Sequence, residues 1–443
     1  MECHPWQNLV GKMIAPRTTM PDSAPENVSS RRRAVITGIG PIAACGIGRD
    51  AFWSGIREGR SGIAPVTTFD ASIFHARNAG EVRDGDPAPF FPPHRLIRLD
   101  RYAQFAVASA LLALEDACLP WSRETPDIRR GVSFGTALGG ISNAEAEHAR
   151  FLKKGPRGVN QTLALQVFGG SAHSNIAIEC GFRGPGNTSS NSCASGLVAV
   201  GEALRYIRDG WADVIVAGGA EAPLCPLTFG SFDFIRTMSR WQGEPAAFAC
   251  RPFDKDRDGF VMGEGACSLV IEEYGHAVRR DARIYAEVLG YALNNDAFHM
   301  TSPLPSGESV IACMNAALAD ARLAPRDIGY INAHASSTQL NDANEVLCIR
   351  TVFGSGENMP PPVSGTKPFT AHPLGATAAM ETAICALALR DQWVPPTLHH
   401  RTPDPACDMD IVPNTGRAHT FRHALNNAFG FGGVNSSLVL GLV

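Results

Sequence analysis

Cys193 has the setting in this chain that best suits chemistry. It lies in a turn of small residues, 191–196, with the sequence Asn-Ser-Cys-Ala-Ser-Gly. The apolar residues after the turn recur at spacings of three, four and three, which predicts a helix with one buried face: Leu197, Val200, Leu204 and Ile207. At a helix N-terminus, unpaired backbone N–H groups and the helix dipole favour a thiolate over a thiol. We therefore predict that Cys193 is a nucleophile ionised at neutral pH, in preference to a buried and inert cysteine.

Two histidines lie at the ends of predicted elements. His334 follows the apolar stretch 328–333 and precedes the polar run 335–338, and His372 follows Lys367 and leads into a predicted helix. A loop histidine beside hydroxyls and glycines is more often functional than a histidine on an apolar face. Taken singly, each of these two is equally consistent with a structural role.

Near the C-terminus, residues 426–433 have the sequence Asn-Asn-Ala-Phe-Gly-Phe-Gly-Gly. Alternating phenylalanine and glycine does not fit a regular helix, and glycine permits backbone conformations in which N–H groups converge on a ligand. The segment therefore predicts either a tight turn with buried aromatic rings or a backbone donor that faces a developing oxyanion.

The elements that position these residues follow an α/β pattern. Strands are predicted at 33–38, 131–135, 213–218, 268–271, 284–289, 328–332, 363–365 and 437–440. Several of them are continuously apolar, as in a sheet covered on both faces. Helices are predicted over 101–118, 308–322 and 374–390.

Three regions are predicted along the chain. Residues 1–30 form a flexible extension, 31–278 a half that carries the cysteine, and 279–443 a half that carries both histidines. The two halves resemble each other only in the order of their strands and helices. We expect function where loops of both halves meet.

Composition excludes several classes of protein. The chain has 443 residues, a net charge of -4 and 44% hydrophobic residues, which does not suggest nucleic-acid binding and suits two large globular units. No apolar run of about 18 residues predicts a membrane helix, and the N-terminus lacks the features of a signal peptide, so a cytoplasmic protein is expected. The 12 cysteines are scattered without a C-x-x-C pair, which fits neither a disulfide framework nor a zinc ribbon.

Taken together with the segment 429–433, four side chains resemble the catalytic set of the β-ketoacyl-acyl-carrier-protein synthases, in particular the elongating group with two histidines: Cys193, His334, Lys367 and His372. The resemblance runs from about residue 33 to residue 443 and includes the long motifs 251–265 and 295–302. It implies a thiolase-like α/β fold of two related halves in a layered αβαβα architecture. It also implies a homodimer that needs no metal or other cofactor and uses acyl carrier protein as its partner.

The family's reaction assigns roles to these residues. By resemblance, Cys193 accepts an acyl chain from acyl carrier protein as a thioester. Malonyl carrier protein then loses carbon dioxide, and the resulting carbanion attacks the acyl carbonyl to give a 3-oxoacyl chain two carbons longer. Two imidazole N–H donors can stabilise the enolate that decarboxylation creates, and His334 and His372 match these donors.

Further roles follow from the same resemblance. Lys367 is expected to position the histidines electrostatically, and Glu345 to brace that network. The backbone N–H groups of Cys193 and Phe431 are expected to hold the oxyanion during acyl transfer. Phe431 also matches the family's gating phenylalanine, with Asp296 in the opposing loop.

The substrate-binding residues are also carried over by resemblance. Leu138 matches a residue at the floor of the acyl pocket that affects chain length. Four hydroxyl side chains match positions near the pantetheine arm: Thr301, Ser302, Ser336 and Thr338.

The chain departs from the family pattern beside each catalytic group. Ala335 and Ala371 stand where glycine is common, Ser336 where threonine is common, and Asn191-Ser192 where Thr-Ala is frequent. None of these departures removes a catalytic group. They leave the acyl chain and the carrier open, and they point to a specialised pathway such as polyketide-like or modified fatty-acid synthesis.

The sequence also contains patterns that are typical of three other kinds of ligand site. Residues 38–43 imitate a dinucleotide-binding fingerprint, but no helix follows the glycines directly. The aspartates of 254–258 imitate the start of a calcium loop, but Gly265 stands where that loop needs glutamate, so an ion-pair cluster is expected. Cys193 with both histidines would also suit a catalytic zinc ion.

Two other functions remain as alternatives. Chain-length factors share this fold without the cysteine, so Cys193 favours an enzyme, acting alone or as the catalytic subunit of a heterodimer with such a factor. A coenzyme A-dependent thiolase would use a second catalytic cysteine and would lack the paired histidines.

Overall fold

The structure is a computed structural model that describes residues 31–83, 87–91, 93–354 and 359–443. The predicted N-terminal extension, residues 1–30, lies outside the described residues. Within the described ranges, no helix combines the length and apolar character that a membrane span requires.

Strands and helices alternate along most of the chain. The strands are β1 (Ala34–Ala43), β2 (Gly46–Ile47), β3 (Ala64–Pro65), β4 (Asn78–Ala79), β5 (Arg130–Gly135), β6 (Gly186–Ser189), β7 (Val214–Glu221), β8 (Gly265–Glu273), β9 (Ala286–Asn295), β10 (Tyr330–Asn332), β11 (Val363–Ser364), β12 (Trp393–Val394), β13 (Arg417–Ala418), β14 (His423–Gly430) and β15 (Val434–Gly441). The helices are α1 (Arg49–Arg57), α2 (Pro93–Leu96), α3 (Arg101–Asp116), α4 (Ile141–Lys154), α5 (Leu163–Val167), α6 (Ser171–Cys180), α7 (Ser195–Arg208), α8 (Pro226–Phe234), α9 (Tyr274–Arg279), α10 (Glu308–Ala321), α11 (Gln339–Phe353), α12 (Lys367–Thr370) and α13 (Leu374–Asp391).

Within the described residues, eleven of these strands join into one mixed sheet. Its order is β11-β10-β14-β15-β9-β1-β8-β7-β5-β6, with β2 paired to β1. The strands at the two ends of the sheet pair in parallel, and the central ones pair antiparallel. The short β1–β9 pairing connects strands of the two predicted halves, whose boundary stays a prediction.

Helices α7 and α13 form the central layer of the molecule. Helix α13 contacts β7 and β8 on one side and β14 on the other, and α7 contacts β5 and β7 as well as β9 and β15. Every residue of α13 from Leu374 to Leu389 is buried, as its small and apolar residues on all sides require. Helices α3 and α10 cover the outer faces, at β1 and β8 and at β9 and β15 respectively. The two wings of the sheet, one with β5, β7 and β8 and the other with β9, β14 and β15, are thus the two β layers, and α7 and α13 lie between them. This arrangement confirms the predicted α/β class with αβαβα layers.

The glycines of the apparent dinucleotide fingerprint serve the packing of a strand on a helix. Gly38 and Gly40 lie inside β1, and a Cβ atom at either position would lie about 2 Å from a backbone oxygen of α3, at Ala113 or Ser109. Close approach of β1 to α3 therefore requires glycine, and no phosphate-binding turn exists here.

The predicted element boundaries agree with the structure best for helices. The three predicted helices correspond to α3, α10 and α13 within two residues. Within the main sheet the prediction missed β2, β6 and β14, and the strand predicted at 284–289 runs instead from Ala286 to Asn295. Part of the segment interpreted as a loop, Phe429 and Gly430, belongs to the end of β14, and the turn itself follows at 431–433.

Candidate active site

Cys193 lies in a short 3-10 turn, Ser192–Ala194, between β6 and α7. The backbone N–H of Asn191 donates to the hydroxyl of Ser195, and that hydroxyl donates to the carbonyl of Ser192 at 2.6 Å. These bonds close the turn and hold the cysteine directly before the helix. The four apolar residues that predicted α7 are all buried: Leu197, Val200, Leu204 and Ile207.

The structure does not support the expectation of a thiolate at neutral pH. Burial raises the pKa of Cys193 to about 11, because only 8% of the residue is exposed and it packs in an apolar cluster with Phe260, Met262 and Leu374. The hydroxyl of Ser192, the charge of Lys367 and the backbone N–H of Phe431 lower this pKa, but less than burial raises it. The position before a helix was predicted correctly, and the depth of burial was not.

His334 is held by a carboxylate from the following helix. It comes after β10, and its backbone N–H and that of Ala335 each donate to the carboxylate of Glu345 at 2.8 Å. Glu345 lies in α11, whose first turn is capped by the side chain of Thr338. The carboxylate of Glu345 therefore fixes the backbone at the point where the chain leaves β10.

His372 lies directly before α13 and meets the other histidine. Its backbone N–H donates to the carbonyl of Val261 at 2.8 Å, and its Nδ1 lies 2.8 Å from the hydroxyl of Thr377. The ring centroids of His334 and His372 are 5.5 Å apart, and the angle between the ring planes is 81°. Both residues are buried, at 5% and 3% exposed.

Both imidazoles are neutral near pH 7. Burial holds the pKa of His334 and of His372 well below 6.5, and the positive charge of Lys367 lowers both further. The ammonium of Lys367 is 1% exposed, donates to the Glu381 carboxylate at 2.7 Å and also donates to the carbonyl of His334. Burial raises the pKa of Glu381 to about 7.

A cavity of about 390 Å³ brings the cysteine and the two histidines together. Many residues predicted for the site line it: Cys193, Asp296, Thr301, Ser302, His334, Ser336, Thr338, His372 and Phe431. Lys367 and Glu345 lie behind the lining and reach it through His334. The hydroxyls of Ser336 and Thr338 are 2.9 Å apart, so they form one polar edge of the cavity.

Two loops meet over the cysteine. Phe431 stacks on Phe232, with ring centroids 6.1 Å apart. The backbone N–H of Asp296 donates to the carbonyl of Gly433 at 2.8 Å, and the Asp296 carboxylate accepts a bond from Asn435 at 2.6 Å. The loop after β9 is thus tied to the turn that carries Phe431.

Leu138 lies outside the lining of this cavity. It packs at the edge of the apolar cluster that contains Cys193 and Phe229. Its backbone N–H and that of Ala137 donate to the carboxylate of Glu221 at 3.1 and 2.6 Å. The structure therefore brings Leu138 to the apolar surroundings of the cysteine.

Sequence reasoning missed three polar groups that support the site. Glu221 also accepts the backbone N–H of Gly375, and burial raises its pKa to about 7. Glu381 had a usable signal, because it is a single carboxylate within the apolar stretch 374–389. Thr377 had no such signal, because its partner His372 lies five residues away across a change of backbone direction.

Replacement of Glu345 by alanine is expected to destabilise the fold by roughly 2–6 kcal/mol, because two buried backbone N–H groups lose their acceptor at about 1–3 kcal/mol each. Urea unfolding followed by circular dichroism measures this loss. Glu345→Gln keeps one side-chain oxygen and is expected to lose less. Equal stability of the alanine variant and the parent would contradict the bracing role.

Among the described residues, no group of three His, Cys, Asp or Glu side chains is arranged to hold a metal ion. The aspartates of the apparent calcium loop make other bonds. Asp258 pairs with Arg251 at 3.2 Å, and Asp254 accepts backbone N–H groups of Arg401 and Thr402. The segment is an ion-pair and hydrogen-bond cluster.

Family models and known proteins match nearly the whole chain. The model for the N-terminal domain of beta-ketoacyl synthase matches residues 31–277, and the model for the C-terminal domain matches residues 285–401. The 3-oxoacyl-[acyl-carrier-protein] synthase 2 of Coxiella burnetii is 41% identical over 413 residues, which cover 93% of this chain and 99% of that protein. The protein of the same name from Synechocystis is 40% identical over 409 residues, or 92% and 97%.

Two solved structures have a similar fold. One is a type II PKS acyl-carrier protein in complex with its ketosynthase bound to the hexaketide, with a TM-score of 0.85 and 36% identity. The other is the ishigamide ketosynthase/chain length factor, with a TM-score of 0.87 and 35% identity. Each match covers 94% of this chain and 100% of the other. On the fold, the cavity and these likenesses, the chain belongs to the β-ketoacyl synthase family.

Proposed function

We propose that this protein catalyses the decarboxylative Claisen condensation of an acyl chain held on Cys193 with malonyl-acyl carrier protein, which gives 3-oxoacyl-acyl carrier protein. One observation carries the proposal: a cysteine and two neutral, nearly perpendicular imidazoles line one cavity of about 390 Å³. The named relatives, 3-oxoacyl-[acyl-carrier-protein] synthases, support the same reaction and partner.

Acyl loading is the first half of the reaction. The sulfur of Cys193 attacks the thioester carbonyl of acyl carrier protein, and the pantetheine sulfur leaves with the proton that Cys193 gives up. The backbone N–H groups of Cys193 and Phe431 are the proposed donors to the oxyanion, and the Phe431 N–H lowers the pKa of Cys193, as a donor near its sulfur would. Because the thiol has a raised pKa, proton removal must accompany attack, and the departing pantetheine sulfur is the final acceptor of that proton.

Decarboxylation and condensation form the second half. The malonyl group loses carbon dioxide, and its electron pair moves to the thioester oxygen as an enolate. Neutral His334 and His372 donate to this oxygen, and the enolate carbon then attacks the acyl carbonyl while the sulfur of Cys193 leaves as thiolate. Lys367 does not line the cavity, so its proposed role is to hold the His334 backbone and to keep both imidazoles uncharged.

The substrate-binding side chains have proposed places along the cavity. Thr301 and Ser302 lie on the loop after β9, and Ser336 and Thr338 lie beside His334, where a pantetheine arm would pass between the two loops. Leu138, in the apolar cluster behind Cys193, is the proposed contact for the acyl chain. Occupation of that cluster requires Phe431, stacked on Phe232, to move.

Pathway and assembly are part of the proposal. The relatives support fatty-acid synthesis, and the ketosynthase structures support a type II polyketide-like route. A homodimer is proposed first. A heterodimer with a homologous subunit is the second candidate, because one structural neighbour is a ketosynthase/chain length factor. Location in the cytoplasm stays a prediction.

A thiolase is not proposed. That reaction needs a second catalytic cysteine, and among the described residues that line the cavity the only sulfur besides Cys193 belongs to Met300. Membership of the synthase family agrees with this reading.

Acyl carrier proteins loaded with chains of different length and saturation are expected to transfer a subset of those chains to Cys193, and malonyl carrier protein then releases 3-oxoacyl carrier protein. Intact-protein mass spectrometry identifies the bound chain, and carbon-13 in the malonyl group identifies the product. Coenzyme A thioesters of the same chains are the control. Loading from coenzyme A alone, or no carbon–carbon bond formation with any carrier, would contradict the proposal.

A further inference from the structure

The residue before the nucleophile departs from the family pattern and carries a hydroxyl. Ser192 stands where alanine is frequent in the synthases that this chain resembles. Its Oγ lies 3.8 Å from the sulfur of Cys193, within the longer range of hydrogen bonds to sulfur, and this is its one side-chain hydrogen bond within the described residues.

The backbone holds this hydroxyl beside the sulfur. Ser192 has a φ of 52°, in the left-handed region that non-glycine residues seldom adopt. The bond from the Ser195 hydroxyl to the Ser192 carbonyl, at 2.6 Å, fixes that conformation. The end of β14 closes the other side, because a Cβ atom on Gly430 would lie 3.0 Å from the Cβ of Ser192.

The sulfur needs such a donor because its surroundings are apolar. Burial of Cys193 opposes ionisation, and so does the nearby carboxyl of Glu221. The charge that favours ionisation, on Lys367, lies behind His334 and outside the cavity lining. A hydroxyl that donates to a charged sulfur forms a stronger bond than one that donates to a neutral thiol. The geometry therefore favours the thiolate selectively.

We propose that Ser192 activates the nucleophile of this enzyme by donating a hydrogen bond from its hydroxyl to the Cys193 thiolate. The same bond favours departure of the thiolate when the acyl chain leaves the sulfur during condensation. This inference rests on the proposed function, because it takes Cys193 as the nucleophile.

The test is the pH dependence of Cys193 alkylation by iodoacetamide, followed by the mass of the peptide that contains this cysteine. In Ser192→Ala, the midpoint of the pH profile is expected to rise by about half a unit to one unit, and the rate below the midpoint to fall by about three- to tenfold. Acyl transfer from carrier protein at that pH is expected to slow by a similar factor. Alanine is common at this position in the family, so the variant is expected to fold.

Two further variants separate the hydroxyl from the backbone. Ser192→Gly also lacks the hydroxyl but adopts a positive φ without strain, and its midpoint is expected to equal that of Ser192→Ala. Ser195→Ala removes a hydroxyl that bonds the Asn191 N–H and the carbonyls of Ser192 and Thr136 but not the sulfur. Because this hydroxyl acts on the sulfur only through the conformation of Ser192, the double variant Ser192→Ala/Ser195→Ala is expected to have the midpoint of Ser192→Ala and a lower melting temperature.

Three results would overturn the inference: an unchanged midpoint in Ser192→Ala, an unchanged midpoint in Ser192→Gly, or a midpoint in the double variant well above that of Ser192→Ala. Failure of the proposed function has a different signature. In that case the parent enzyme would not carry an acyl group on Cys193, whatever residue stands at position 192.

Discussion

Replacement of Cys193 by alanine is expected to abolish both acyl loading and condensation. The variant has no sulfur in the cavity that can form the thioester, and Met300 cannot replace it. Malonyl decarboxylation is expected to persist in this variant, because both imidazoles keep their partners, Thr377 for His372 and Glu345 for the His334 backbone. Loss of one partial reaction with retention of the other distinguishes a missing nucleophile from a misfolded site.

Intact-protein mass spectrometry after incubation with acyl carrier protein measures loading, and release of acetyl carrier protein from malonyl carrier protein measures decarboxylation. Cys118→Ala is the matched control, since Cys118 is the exposed cysteine among those described and the first to react by unselective thiol exchange. That variant is expected to load like the parent. An acyl adduct on Cys193→Ala would refute the nucleophile assignment.

Local periodicity predicted much of the fold. Helices α3, α10 and α13 were placed within two residues, since their long stretches are rich in alanine, leucine and other apolar residues, which recur at helical spacing in α10. Strand β14 was missed because its sequence holds two asparagines and a glycine, whose place is decided by pairing with β10 and β15. Strand β6 is polar, Gly-Asn-Thr-Ser, and is a strand only through its pairing with β5.

The candidate site was predicted mainly through resemblance. Spacing alone placed Cys193 before a helix and the two histidines at the ends of elements, but it gave no reason for them to meet. Their meeting depends on β10 and β14 lying side by side and on α13 running through the centre, which are long-range features. The family's motifs predicted that Cys193, His334 and His372 share one site, but they gave no distances or angles between these side chains.

The ionisation of the cysteine could not be predicted from sequence. A helix N-terminus favours a thiolate, whereas apolar surroundings disfavour it. The balance depends on how closely Phe260, Met262 and Leu374 cover the sulfur, and these residues come from two parts of the chain that are distant from Cys193. Burial wins here and raises the pKa of Cys193.

Replacement of either catalytic histidine is expected to slow malonyl decarboxylation by about 10²-fold or more and to leave acyl loading in place. In either variant the enolate oxygen loses one of its two N–H donors. Since both histidine pKa values lie well below 6.5, the parent's imidazoles stay neutral as pH falls from 8 towards 6.5. Any change of the decarboxylation rate over that range is therefore expected to come from Glu345 or Glu381, whose pKa values are about 7.

Conversion of malonyl carrier protein to acetyl carrier protein measures the loss, with His334→Ala, His372→Ala and their double variant compared at equal loading. His372→Gln keeps an N–H donor near the position of Nε2 and is expected to retain more activity than His372→Ala. Normal decarboxylation in both alanine variants would end the two-histidine account.

Thr377→Val tests the tautomer of His372. The Nδ1 of His372 lies 2.8 Å from the Thr377 hydroxyl. If that hydroxyl donates to Nδ1, the imidazole proton is on Nε2, the nitrogen that is free to face the enolate. Valine has the same shape without this bond, so decarboxylation is expected to fall to a level between those of the parent and His372→Ala. An unchanged rate would mean that the tautomer is set elsewhere, and a rate as low as that of His372→Ala would mean that the ring has lost its place against His334.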